Sequence, residues 1–150
     1  MTTAVMTSST NVPAAAKWLG YAGLLPFFAL AVLVAVVGSE GAAGQGLMSY
    51  GAVILAFIGG CRWGFAAAGM GEGVAMRPLA LSVVPALYAW VAMQLPFAWA
   101  AAALAFGFVC LFLSDKALTG QGGAPAWWTA LRAPLTAGAS LSLVAGAALA

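Results

Sequence analysis

Five runs of apolar residues, each close to the ~20 residues that a helix needs to cross a bilayer, divide the chain and are joined by short stretches rich in glycine, proline and charge. They cover residues 18–38, 47–70, 78–96, 97–114 and 131–150. Continuous apolarity predicts helices, because in lipid every backbone polar group must be satisfied within its own segment. Gly23 and Pro26 interrupt the first run. That run is longer than a signal-peptide core and is expected to be retained. Residues 1–16, with Thr7, Ser8, Ser9, Thr10 and Asn11 ahead of Pro13, carry no periodicity and predict a disordered polar tail. The expected organisation is therefore an all-α membrane protein: a tail over 1–16 and a single bundle of five transmembrane helices over 17–150.

Composition supports this class. Hydrophobic residues make up 65% of the 150, charged residues 5%, and mean hydropathy is +1.07, whereas about a quarter of a soluble domain is charged. A net charge of +2 made of scattered residues excludes a nucleic-acid surface and a polybasic lipid-binding tail. Charge instead orients the chain. With five crossings, Lys17, Arg77, Lys116 and Arg132 border one side and Glu40 alone borders the other, so the amino terminus is expected in the cytoplasm and the carboxyl terminus outside. Trp18, Trp127 and Trp128 are expected at the inner interface, and Tyr50 and Trp99 at the outer one.

The chemistry on offer is sparse. There is no histidine, and Cys61 and Cys110 both fall inside apolar runs, so neither a disulfide framework nor a metal site is expected, and no cofactor. Only three carboxylates are present, of which Glu72 and Asp115 fall on the inner side. General acid–base work has little to draw on, and no enzyme activity is expected. The anomaly is Arg62, in the middle of the second run. An intramembrane cation costs on the order of 2.5–3.5 kcal/mol on insertion scales, so it faces a bundle interior or a wet cavity and marks a site by default. At the depth its guanidinium reaches stand Asp115, Ser82, Ser114 and Thr136. Asp115 is the expected counter-ion, with the hydroxyls as further partners. Alternatively, Asp115 pairs with Lys116 or Arg132 and Arg62 bonds backbone carbonyls. A pocket beside Arg62 between runs two, three and four would be lined by Gly59, Trp63, Tyr88 and Trp90.

On the opposite face of the second run, Ala52, Ala56, Gly60, Gly64 and Ala68 recur every four residues. Such a small ridge predicts close docking of another helix, within the chain or from a second copy. Gly138, Ser142 and Gly146 repeat the spacing in the fifth run, which suggests that runs two and five pair.

Several fragments, in order along the chain, resemble one family: Leu19-Gly20-Tyr21-Ala22-Gly23-Leu24-Leu25-Pro26-Phe27; Tyr50-Gly51-Ala52-Val53-Ile54 with Gly59-Gly60 and Trp63-Gly64; Val84-Pro85-Ala86-Leu87 with Ala89-Trp90; Asp115; and Pro125-Ala126-Trp127 leading to Leu131-Arg132-Ala133-Pro134-Leu135. Together they resemble the transmembrane-protein-69-like family, a domain of unknown function. The resemblance implies a small multi-pass protein of the bacterial inner (plasma) membrane or, in animals, of the mitochondrial inner membrane, and implies no catalytic residues. The leading functional expectation is a non-enzymatic accessory or assembly module whose small ridges dock other membrane proteins in a homo-oligomer or larger complex. The alternative is a binder or carrier of an apolar small molecule, such as a lipid, quinone or tetrapyrrole, in a pocket next to Arg62.

Overall fold

The computed structural model of the chain describes residues 10–71 and 74–150. Most of the segment read as a polar tail lies outside them, as does Glu72. Among the described residues six helices form: α1 (Ala14–Ala22), α2 (Leu25–Val37), α3 (Ala42–Ala67), α4 (Met76–Ala92), α5 (Phe97–Gly120) and α6 (Trp128–Leu149). The described residues include no strand. α1 and α2 together form one apolar rod of 24 residues, and this rod, α3 and α5 are each long and apolar enough to cross a membrane; α4 is a shorter apolar helix. The protein is all-α and of membrane class.

The break between α1 and α2 has a local cause. Pro26, in the first turn of α2, brings no N–H for the Ala22 carbonyl, and the chain tightens there, Leu24 N–H donating to the Tyr21 carbonyl at 3.0 Å. Tyr50 of α3 then donates its hydroxyl to the Gly23 carbonyl at 2.8 Å. Its ring meets Phe27 edge-on at 4.9 Å, and Phe27 in turn meets Phe108 at 5.9 Å. Tyr50 thus pins the break from inside the bundle instead of anchoring an interface.

Consecutive rods run antiparallel and pack α2 on α3, α3 on α4 and α5 on α6, while α6 closes the bundle against α2. Leu47, Leu55, Leu104, Phe108 and Leu143 fill its centre. The helix bounds differ from the apolar runs in an instructive way. α5 continues six residues beyond the expected end at 114, because Asp115 is buried within the bundle and not at its surface. α1 already starts at Ala14, and α4 stops at Ala92, whose carbonyl finds no N–H on Pro96 four residues on and accepts instead from Leu95 N–H at 3.1 Å.

The small ridges do not dock as their spacing suggests. A Cβ placed on Gly60 or Gly64 would meet nothing within 4 Å, Ala68 is exposed, and only Ala52 and Ala56 are half-covered. Among the described residues, no helix docks along that ridge. The close approach is at Gly59, about 100° around the helix, where a Cβ would stand 2.6 Å from the Ser82 carbonyl oxygen and 3.3 Å from Pro85 of α4. The ridge of α6 is used, but chiefly by α2: a Cβ on Gly138 would stand 2.9 Å from Leu24, and only at Gly146 does Leu47 of α3 come close.

Candidate functional site

The site is built where the end of α3, the start of α4, the end of α5 and the start of α6 meet. Asp115 has no exposed surface, and a carboxylate so placed requires a cation. It has two. Arg132 Nε donates to Asp115 Oδ2 at 3.1 Å, and Arg62 Nη1 stands 3.7 Å from Oδ1. Arg132 is 3% exposed, so it is an interior ion-pair partner and not the interfacial charge that its place in the sequence suggests. The expected pair of Arg62 and Asp115 forms, but as the longer arm of a three-membered cluster. The alternative partner Arg132 holds the carboxylate by the shorter contact.

This asymmetry has a consequence for Arg62. The cluster carries two cations against one anion, and the anion's hydrogen bond goes to Arg132. Among the described residues, Oδ1 accepts no hydrogen bond, so Arg62 contributes charge at 3.7 Å and keeps its donors for other partners. Its side chain is 11% exposed.

The hydroxyls expected around Arg62 are placed differently. Ser82 is buried, but donates to the Leu79 carbonyl of its own helix at 2.6 Å. Thr136 lies one turn beyond Arg132 on α6, its hydroxyl buried and without a hydrogen bond among the described residues. Ser114 is exposed and shares a cavity wall with Arg62. Trp128, expected at the interface, is buried edge-on to Phe65 at 5.0 Å, on the same face of α6 as Arg132.

Two cavities meet at Arg62, between α3, α4 and α5. The larger, of about 550 Å³, lies at the bundle end and includes Arg62, Arg77, Ser114 and Gln121 in its wall, with the loop glycines Gly71 and Gly123. The smaller, of about 240 Å³, runs deeper past Pro85, Tyr88, Phe106, Gly107 and Cys110. Arg62, Leu81 and Ser114 line both. The larger is polar at its mouth; the smaller is walled by apolar side chains. Pro85 also withholds the N–H that the Leu81 carbonyl would otherwise take, leaving a backbone acceptor at the level where the cavities join.

Of the four residues expected to line a pocket, Tyr88 does. Gly59 is instead filled by α4, and Trp63 and Trp90 are 47% and 66% exposed on the outside of the bundle, consistent with contact to lipid. Sequence reasoning offers Arg132 only as an interfacial alternative partner of Asp115, although a signal for the buried pair is there. Asp115 and Arg132 lie about equally far from the middle of the loop joining α5 to α6, as do Thr119 and Thr129, whose hydroxyls meet at 3.0 Å. An antiparallel hairpin sets such pairs opposite each other.

Fold and site together define a helical membrane protein with a buried arginine–aspartate–arginine cluster that flanks a cavity between its helices. Its lineage agrees with the resemblance of its fragments: the chain belongs to the family described as protein of unknown function (DUF3429), whose model matches residues 12–148. It is 40% identical over 143 residues to Transmembrane protein 69 of Xenopus tropicalis, covering 89% of this chain and 54% of that protein. To Transmembrane protein 69 of Mus musculus it is 37% identical over 86 residues, covering 54% of this chain and 34% of that protein. The chain thus spans about half the length, or less, of these curated relatives. No solved structure matches it.

Proposed function

We propose that this protein binds an anionic amphiphile within the membrane, its head at Arg62 and its apolar part between α4 and α5. The observation that carries this reading is the excess cation: among the described residues a cluster of two arginines and one aspartate is one negative charge short, and Arg62, the less tightly held arginine, borders a polar and an apolar cavity at once. A buried charge needs a partner, and a lipid acid or an acidic tetrapyrrole supplies one; a quinone would offer only a carbonyl. Five crossings with the amino terminus on the cytoplasmic or matrix side complete the reading. Lys17, Arg77 and Lys116 then lie at the inner end and Glu40 at the outer, in a bacterial or mitochondrial inner membrane.

Arg62→Leu tests it. Because Asp115 keeps Arg132, the variant is expected to fold and melt close to wild type in mild detergent. Native mass spectrometry should find the co-purified anionic amphiphile on the wild type, with affinity about 10- to 100-fold lower in the variant, as loss of a charge-assisted hydrogen bond implies. Equal occupancy in both proteins would sink the reading.

A second reading, a docking module, rests on the uncovered Gly60 and Gly64 face of α3. Gly60→Leu is expected to leave the isolated chain folded while releasing a second copy or a co-purifying membrane protein. An unchanged complex on size exclusion would exclude that face.

A further inference from the structure

We infer that Tyr88 is the floor of the apolar cavity and sets the length of the chain it accepts, so that the ligand is a single-chain amphiphile with a monoanionic head and a short straight tail. This rests on the reading of Arg62 as the head partner.

The length of the groove sets the scale. From Leu81, at the junction of the cavities, to Tyr88 is seven residues of α4, ~10 Å of rise, which at the ~1.2 Å per bond of an extended chain spans about eight or nine atoms. One straight chain of that length fits along the groove.

What ends the groove is a fixed ring. The Tyr88 hydroxyl donates to the Ala103 carbonyl of α5 at 2.7 Å, and the ring lies against the bare backbone of Gly107, where a Cβ would stand 2.6 Å from it. Tied at its tip and seated in a glycine notch, the ring closes the α4–α5 seam beyond the level of Phe106. Cys110, an exposed wall residue partway along, offers a place to shorten the same groove.

The test is a ladder of straight-chain carboxylates from about six to about sixteen carbons, with monoanionic alkyl sulfates of matching length as a second arm, bound to the 150-residue chain in detergent and followed by native mass spectrometry. Wild type should prefer tails of about eight to ten carbons, and the better arm names the head chemistry. Tyr88→Ala should move the optimum about four carbons longer, Tyr88→Phe should keep it, and Cys110→Phe, which does not depend on the α4–α5 seam surviving a cavity, should move it shorter. If optima stay put in Tyr88→Ala and Cys110→Phe while binding still requires Arg62, the floor assignment is wrong and the proposed function stands. If no member of either ladder binds in an Arg62-dependent manner, both fall.

Discussion

Asp115→Ala is expected to destabilise the folded protein by about 3–5 kcal/mol, the cost of stripping a buried ion pair of one partner. Two arginines would then face each other with no anion in a site where Asp115 has no exposed surface and Arg132 only 3%. The three members should rank in a fixed order. Loss of Asp115 leaves two bare cations; loss of Arg132 leaves the carboxylate with a partner 3.7 Å away; loss of Arg62 leaves a neutral pair joined at 3.1 Å. Thermal unfolding in detergent, followed by tryptophan fluorescence, measures this order. Replacing all three with apolar residues of similar size should recover most of the loss, since buried ions often stabilise no more than a packed apolar core. An Asp115→Ala variant that melts with wild type would mean that water or lipid headgroups already reach the cluster.

The second large effect concerns a methyl group. Gly59→Ala should destabilise by about 1–3 kcal/mol, as overpacking does, even though alanine gains ~1 kcal/mol over glycine in helix propensity. The clash decides the sign. The atom 2.6 Å from the added Cβ is the Ser82 carbonyl oxygen, part of the α4 backbone, so the whole helix must move away. Gly60→Ala is the internal control: it meets nothing within 4 Å and should keep the propensity gain. Opposite shifts in melting temperature from neighbouring glycines would fix the face on which α4 packs; shifts of the same sign would contradict the α3–α4 seam.

That pair also shows how far the sequence could be read. The helical class was legible because uninterrupted apolarity in runs of membrane-spanning length leaves few other structures. The facing direction of each helix was not. Gly59 and Gly60 are neighbours of one type, and composition alone does not say which is pressed against a partner; the regular spacing through Gly60 and Gly64 drew attention to the uncovered side. Depth was misjudged for a related reason. Asp115, Lys116 and Thr119 look like the polar end of a span, yet α5 runs on to Gly120 and carries Asp115 inside. The acid was matched to Arg62 because an intramembrane cation demands one, and Arg132 was legible only as an interfacial alternative; that it holds the acid inside the bundle follows from the hairpin geometry of α5 and α6. Tyr88 was legible as a wall residue, but its seat on Gly107 joins two helices far apart in any local pattern.

The three-membered charge cluster also bears on how the protein is made. Synthesis delivers Arg62 first, Asp115 some fifty residues later and Arg132 last. When α5 enters the bilayer, the only one of these two arginines yet built is that of α3, so Arg62 can chaperone the carboxylate through insertion. Arrival of α6 hands the acid to Arg132 and returns Arg62 to the cavity wall. On this account Arg62 first serves as a birth attendant for its neighbour.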